Sequence, residues 1–231
     1  MKNQKLKIAF VLSLSVGILW TGVASRPTPK VQENLGKKLD TVRVQPLDTV
    51  VSVKGKKSLF IGDSHTANHY YGWQLLLCNK TGMQMLNTAV GGKNTYWMLN
   101  QAVYSVNKSF DYCFIYGGAN DMYSSTSMFD ALRNIRGIIK ICKGNGVQPI
   151  VLTGFDPQLC VRKDKYPIYV SRYTKFQKML QDSIQDTRVI KTHFVSRSDG
   201  DCGDYICHMT ASGHKKMAEG IIKEMKFKTI R

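Results

Sequence analysis

KSLFIGDSHT, residues 57–66, is the stretch that decides the fold of this chain. Its apolar run Leu59–Ile61 stops abruptly at Gly62-Asp63-Ser64, a pattern typical of a buried strand that ends in a tight turn. The residues that follow can open a helix, which places Ser64 near the free N–H groups of a helix N-terminus. A serine in that position suits a nucleophile, and it equally suits a helix N-cap.

Beyond this stretch, short apolar runs alternate with longer amphipathic segments. The predicted strands are Ser58–Gly62, Met83–Ala89, Tyr112–Tyr116, Gln148–Thr153 and Thr187–Val195. The predicted helices lie near Thr66–Cys78, Thr95–Val106, Met128–Lys143, Tyr169–Asp182 and Ala211–Met225. Strands separated by helices imply right-handed βαβ crossovers, so we expect an α/β fold with a mostly parallel five-stranded sheet and helices on both faces.

The N-terminal segment has the layout of an export signal. Met1–Lys7 carries three lysines and no acid, Ile8–Val23 is uncharged, and small residues precede Arg26. The apolar run is short for a membrane span, and both a cleaved signal peptide and an uncleaved signal anchor stay open. We therefore expect an exported chain that is secreted, periplasmic or tethered to a membrane.

The chain divides into three predicted parts. Residues 1–25 form the signal peptide or anchor, and 26–56 form a polar linker or stalk with prolines, lysines and a short strand around Thr49–Val53. Residues 57–231 form the single α/β domain. A chain of 231 residues with 43% apolar content has room for one such core but hardly for two.

The charge balance favours an anionic partner. The chain has 33 Lys and Arg against 16 Asp and Glu, a net charge of +17. Such a surplus suits a membrane surface or an acidic polymer, although solubility alone is the plainer interpretation. Nucleic acid is disfavoured because the basic residues are scattered and lack a zinc-finger or aromatic-basic RNA-binding signature.

Four motifs follow the predicted strands or precede the last helix, where they would meet at one edge of the sheet. They contain Ser64, Gly92, Asn120 and His208. Acyl-ester cleavage requires such a set, with His208 as the proton acceptor for Ser64. The backbone N–H groups of Ser64 and Gly92, with the Asn120 amide, would hold the oxyanion. A glycine at position 92 would allow close approach of the backbone.

These motifs give the chain its resemblance to the SGNH/GDSL hydrolase family, from Lys57 to the C-terminus. The matching blocks are GDSHT at 62–66, GGKNT at 91–95, GGAND at 117–121, and His208 followed by Gly213-His214. The resemblance implies a flavodoxin-like three-layer α/β/α sandwich and a serine esterase mechanism. It also implies that the chain needs no metal and no organic cofactor.

One position departs from the family pattern. The family usually has an Asp three residues before the catalytic His, and here that position is Tyr205. We expect Asp204, four residues before His208, to orient the ring. Asp201 is a more distant substitute, and a Ser-His dyad oriented by a backbone carbonyl is the other alternative.

The remaining histidines and two acids are expected to have structural or surface roles. His65 is interpreted as a rim residue and His214 as a less suitable base, while the others are His69, His193, Asp63 and Asp121. The two acids are expected to hold their own turns or loops through local hydrogen bonds.

Six cysteines in an exported chain permit three disulfides. Cys113 lies mid-strand and is predicted to be a buried free thiol. Cys202 and Cys207 flank Asp204 and could pair with each other or with Cys160. A zinc site formed by Cys202, Cys207 and His208 is disfavoured because it would consume the base.

The sequence therefore predicts an exported serine ester hydrolase that removes small acyl groups, acetyl first, from a carbohydrate or cell-envelope glycan through a Ser64 acyl-enzyme. The expected partners are an acylated carbohydrate or another small ester and an anionic polymer or membrane surface. One alternative is a lipase- or thioesterase-like esterase, or an acyltransferase of the same family. A second is a non-catalytic glycan- or surface-binding module on a degenerate scaffold.

Overall fold

In the computed structural model, five short strands form a parallel sheet at the centre of the fold. They are β1 Lys57–Gly62, β2 Gln84–Asn87, β3 Tyr112–Tyr116, β4 Gln148–Leu152 and β5 Arg188–Ile190. Every pairing is parallel, and the strand order is β2-β1-β3-β4-β5. This is the doubly wound flavodoxin-like order, so the predicted α/β fold with a five-stranded parallel sheet is confirmed.

The structure describes residues 49–68, 70–204 and 208–230, all within one compact unit, Thr41–Arg231. The predicted signal segment and most of the predicted linker lie outside the described residues. Within those ranges, no helix combines the length and the apolar character that crossing a bilayer requires.

Seven helices connect or follow the strands in the described residues. They are α1 Trp73–Thr81, α2 Thr95–Ser105, α3 Ala119–Tyr123, α4 Met128–Gly144, α5 Pro157–Cys160, α6 Pro167–Ser183 and α7 Ala211–Met225. Helices α1 and α7 pack on each other, while α2 packs on α4 and α4 packs on α6. The short helices α3 and α5 were not predicted, since one or two turns are too few to show a helical period.

Burial on both faces explains why the central strands are continuous apolar runs. In β1 every residue after Lys57 is buried, and in β4 every residue after Gln148 is buried. Helix α4 is amphipathic, and its buried stripe includes Ile135, Ile138 and Cys142. The sheet is therefore a rigid base whose carboxyl edge carries the loops that contain the motifs.

The segment after β1 differs from its prediction. A helix was expected from Thr66, but α1 begins only at Trp73, with Gly72 as its N-cap. Local hydrogen bonds hold the intervening backbone out of helix: the Asp63 carbonyl accepts from Thr66 N, and the Asn68 side chain accepts from two later N–H groups. Ser64 therefore does not cap α1.

The two ends of the described domain are joined beside the sheet. Val51 forms an isolated parallel bridge with Phe227, in place of the short strand predicted around Thr49–Val53. Its N–H donates to the Lys226 carbonyl at 2.9 Å, and its carbonyl accepts from Lys228 N at 2.8 Å. The segment before β1 and the segment after α7 are thereby held together.

Candidate active site

Ser64 lies in a tight turn at the carboxyl end of β1. Its Oγ is 2.9 Å from His208 Nε2. Gly62 makes the turn possible, because a Cβ there would lie 2.7 Å from both the Tyr116 carbonyl oxygen and Thr66 Oγ1. The strand end thus presents Ser64 to a histidine that comes from the far end of the chain.

His208 and Asp204 are joined by two contacts. The His208 backbone N–H donates to Asp204 Oδ1 at 2.9 Å, and its ring Nδ1 contacts Asp204 Oδ2. A proton on Nδ1 that is shared with the carboxylate leaves Nε2 free to accept from the Ser64 hydroxyl. The three side chains therefore stand in the order of a nucleophile, a base and an orienting acid.

The position at which the sequence departs from the family pattern is accounted for by Asp204. Its carboxylate reaches His208 from four residues away, and Nδ1 faces this carboxylate rather than a backbone carbonyl. Tyr205 lies outside the described residues. Asp201, the other candidate acid, is engaged elsewhere.

Asp201 anchors the start of the loop that carries Asp204. Its buried carboxylate accepts from Ser196 N at 3.0 Å, Ser212 Oγ at 2.9 Å and Lys216 Nζ at 2.8 Å. Burial raises the pKa of Asp201, but the Lys216 ammonium and these donors outweigh it and hold the pKa below its ordinary value. Asp201 is therefore a charged support beneath the loop.

Arg197 fixes the backbone at Asp204, a role that was not predicted. Its Nε donates to the Cys160 carbonyl at 2.8 Å, and a second guanidinium N–H donates to the Asp204 carbonyl. Gly203 N also donates to the His208 carbonyl at 2.7 Å. An arginine that binds backbone carbonyls leaves no pattern in the sequence, since its partners can be any residue type.

The states of the cysteines exclude one of the predicted disulfides. Cys202 is disulfide-bonded, whereas Cys160 is a buried free thiol that donates to the Val195 carbonyl at 3.2 Å. The predicted alternative of a Cys202–Cys160 bridge is therefore wrong. Cys113 is a buried free thiol as predicted, and Cys207 lies outside the described residues.

Two glycines bring the loop after β2 close to Ser64. A Cβ built at Gly91 would lie 3.7 Å from Ser64 Cβ, so this turn sits against the nucleophile. Gly92 has φ +73°, and a Cβ there would meet nothing within 4 Å. Glycine is thus required at 92 by its backbone conformation, which L-residues rarely adopt, and not by crowding as expected.

Asn120 lies across the same edge, in the first turn of α3. Its Nδ2 donates to the Lys93 carbonyl at 3.0 Å, and the amide keeps a second N–H. Gly92 and Asn120 both line one open pocket of about 480 Å³. The structure therefore brings the three predicted oxyanion residues to one side of the sheet edge.

Among the described residues, no cluster of His, Cys, Asp or Glu could hold a metal ion.

Asp121 was expected to brace its own loop, and it instead braces α2. Its carboxylate accepts from Thr95 N at 2.9 Å and from Thr95 Oγ1 at 2.7 Å. Burial raises its pKa, although the two Thr95 hydrogen bonds oppose the shift. Gly118 has φ +105°, and a Cβ there would lie 2.2 Å from the Phe176 ring. These contacts fix the Asn120 backbone from both sides.

His65 is a core residue and not the rim residue that was predicted. Its ring is stacked on Tyr116, tilted on Phe155, and stacked on His208 with 5.2 Å between the ring centroids. Burial lowers the pKa of His65 to about 3, so the ring is neutral. The His208 ring therefore rests on a neutral imidazole ring.

Asp63 stabilises the turn that contains Ser64, as predicted. Its Oδ1 accepts from His65 N at 3.0 Å. The carboxyl is fully buried, and burial raises its pKa to about 7.

The other histidines have structural contacts. His214 Nδ1 accepts from Trp73 N at 3.2 Å, so a side chain of α7 satisfies the first N–H of α1. Burial lowers the pKa of His214 to about 4. His193 Nδ1 lies 3.4 Å from Asp156 Oδ2. His69 lies outside the described residues.

We expect His214 to make the stability of the domain pH-dependent. Unfolding restores its pKa from about 4 to the ordinary 6.5, so the unfolded chain binds an extra proton between these values. The free energy of unfolding should therefore fall as pH falls through this window, by about 1.4 kcal/mol per unit from this group. In His214→Gln, whose amide oxygen can accept from Trp73 N, urea unfolding at pH 6.5, 5.5 and 4.5 should give a shallower dependence.

His65 and Asp63 keep in His214→Gln the burial that is the largest cause of their pKa shifts, so their contributions are nearly the same in both proteins. Lys215→Gln, an exposed change on the same helix, is the matched control and should keep the wild-type slope. Equal slopes in wild type and His214→Gln would contradict the expectation.

The fold and the site together define a class of protein. A doubly wound parallel sheet carries Ser64, His208 and Asp204 in hydrogen-bonded order at its carboxyl edge, beside a glycine turn and an amide. This arrangement defines a serine hydrolase of the α/β class.

Comparison with known proteins gives the family. The model of the GDSL-like lipase/acylhydrolase family matches residues 60–216, and the chain belongs to this family of carboxylic ester hydrolases. No curated protein sequence matches the chain significantly.

Solved structures agree in fold. Axe2, an acetylxylan esterase from Geobacillus stearothermophilus, has a TM-score of 0.61 at 16% identity, over 78% of this chain and 99% of the other. A member of the lipolytic protein G-D-S-L family from Veillonella parvula DSM 2008 has a TM-score of 0.59 at 16% identity, over 73% of this chain and 97% of the other. At these identities the similarity concerns the fold.

Proposed function

We propose that this esterase removes small acyl groups, acetyl first, from a carbohydrate through a covalent Ser64 acyl-enzyme. The observation that carries the proposal is the continuous chain of contacts from Ser64 Oγ through the His208 ring to the Asp204 carboxylate. A non-catalytic module has no chemical need for such an arrangement.

Each step of the proposed mechanism is assigned to one of the groups described above. Ser64 Oγ attacks the ester carbonyl while its proton passes to His208 Nε2, and Asp204 stabilises the imidazolium. The N–H groups of Ser64 and Gly92 and the free N–H of Asn120 hold the oxyanion. His208 then gives its proton to the leaving alcohol, and a water activated by the same ring hydrolyses the acyl-enzyme.

The carbohydrate part of the proposal is supported by the surroundings of the site. The pocket beside Gly92 and Asn120 is open and lined by both polar and aromatic side chains, which suits a sugar better than a long acyl chain. A fold neighbour is an acetylxylan esterase. The lysine-led apolar N-terminal segment adds export to the proposal, so that the substrate is an extracellular or cell-envelope glycan.

A series of model esters tests the acyl preference. We expect kcat/KM to be highest for p-nitrophenyl acetate and to fall at least about tenfold by the octanoate, because one unsuited methylene costs on the order of 1 kcal/mol or more. Rates are read against the Ser64→Ala protein as background. A rise in kcat/KM with chain length would replace the proposal by a lipase- or thioesterase-like activity.

A further inference from the structure

One pocket beside the candidate active site has a composition that the reaction itself does not require. We call it the Trp97 pocket, and its volume is about 480 Å³. Its lining residues include Gly92, Lys93, Asn94, Trp97, Asn120 and Tyr123. We propose that the Trp97 pocket is a subsite for a sugar ring that carries an anionic group. The inference deepens the proposed function and rests on it.

The aromatic side chains of the pocket are supported by neighbouring groups. Trp97 packs partly against the core, and its backbone N–H donates at 3.0 Å to the side chain of Asn94, the N-cap of α2. Tyr123 is 58% exposed, yet its ring is braced by Tyr169, with 5.9 Å between the centroids. Rigid aromatic surfaces cost little entropy on binding, and they match the apolar C–H faces of a sugar ring.

Lys93 supplies an available positive charge. Its Nζ lies 5.7 Å from the centroid of the Trp97 ring, and no Asp or Glu lines the pocket. Among the ion pairs of the described residues, none includes Lys93. Because Lys93 Nζ lies over the ring, a sugar stacked on Trp97 would take the place of the ammonium, and its carboxylate or phosphate would pair with the displaced Lys93.

The location of the pocket ties this subsite to the chemistry. Gly92 and Asn120 belong both to the pocket lining and to the proposed oxyanion hole. The neighbouring Gly91 lies against Ser64, since a Cβ built at Gly91 would be within van der Waals distance of Ser64 Cβ. A ring held in the Trp97 pocket thus places an acyl ester on one of its hydroxyl groups next to the nucleophile. The pocket selects the sugar, and Ser64 cleaves the ester that the sugar carries.

Binding is measured with the Ser64→Ala protein, which retains the pocket and cannot form the acyl-enzyme. Three acetylated oligosaccharides are titrated at low salt: one with uronate groups, one with phosphate groups and one neutral. We expect an anionic sugar to bind about tenfold or more tightly than the neutral sugar, as a charge-assisted hydrogen bond implies. Whether the uronate or the phosphate binds better identifies the anionic group.

Two substitutions in the Ser64→Ala background test the assignment. Lys93→Met keeps an unbranched side chain of similar length and removes the charge, so it should abolish the anionic preference. Trp97→Ala should weaken the binding of all three sugars. Lys108→Met, an exposed lysine in the turn before β3, is the matched control for net charge and should leave the preference intact. Equal affinity for the anionic and neutral sugars, or a preference that survives Lys93→Met, would overturn the inference.

A kinetic measurement separates this inference from the proposed function. With Ser64 present, Lys93→Met should lower the ratio of kcat/KM for the anionic over the neutral acetylated sugar by about tenfold. If wild type hydrolyses esters in a Ser64-dependent way but this ratio is unchanged, the subsite is refuted and the esterase stands. If no Ser64-dependent hydrolysis is found, the proposed function fails, while the binding titration still decides the subsite.

Discussion

Ser64→Ala is expected to lower kcat for the hydrolysis of a small acetate ester by about 10⁴- to 10⁶-fold, the loss seen when a serine nucleophile is removed. The substitution deletes one oxygen that is hydrogen-bonded to His208 at 2.9 Å and touches no packing in the core. The thermal unfolding midpoint should therefore stay close to that of wild type. Residual hydrolysis would come from the oxyanion donors alone.

A fluorophosphonate reagent followed by peptide mass spectrometry checks the same assignment by covalent chemistry. Labelling is expected at Ser64, and it should be lost in His208→Ala because the hydroxyl is then no longer activated. Ser109→Ala, in an exposed turn, is the control and should retain both the rate and the label. A folded wild-type protein that takes no label would refute the serine esterase mechanism.

Asp204→Asn is expected to reduce kcat by about 10⁴-fold with little change in structure. The amide oxygen can still accept from the His208 backbone N–H, as Asp204 Oδ1 does at 2.9 Å. The NH₂ group of the substituted side chain, however, would donate to Nδ1 of the His208 ring. This forces the ring proton to Nε2 and leaves no acceptor for the Ser64 hydroxyl. The measurement is kcat for a soluble acetate ester across pH 6 to 9.

Asp199→Asn is the matched control for Asp204→Asn. Asp199 lies on the same loop, is exposed, and pairs with Lys216 at 2.9 Å. An exposed pair of this kind contributes little, so the rate should stay near that of wild type. If Asp204→Asn costs less than about tenfold, the ring is oriented by another group and the Ser-His dyad becomes the better description.

The sheet could be predicted because its three central strands, β1, β3 and β4, are buried on both faces. Such strands appear in the sequence as continuous apolar runs that end at Gly or Asp, as at Leu59–Ile61 and Tyr112–Tyr116. The loops that follow them must then meet at one edge, which is why Ser64, Asn120 and His208 could be proposed together. Their positions follow from chain topology, so the apolar runs and the motifs beside them were sufficient.

The remaining features depend on contacts that have no periodicity. Helix α1 starts late because the Asn68 side chain competes for backbone N–H groups, which a helical pattern does not reveal. His65 is buried. This could not be predicted, because a turn, unlike a helix or strand, does not fix which way a side chain points. Arg197 recognises backbone carbonyls, so no partner residue type identifies it.

The joined ends of the domain determine when catalysis can begin. His208 follows Ser64 by 144 residues, and the first N–H of α1 depends on His214 from the last helix. Phe227 then closes on Val51. A nascent chain thus lacks the contact between His208 and Ser64 until its C-terminal region has emerged and docked, since the two residues are distant along the chain. The return of ester hydrolysis during refolding would therefore time the final closure of the domain.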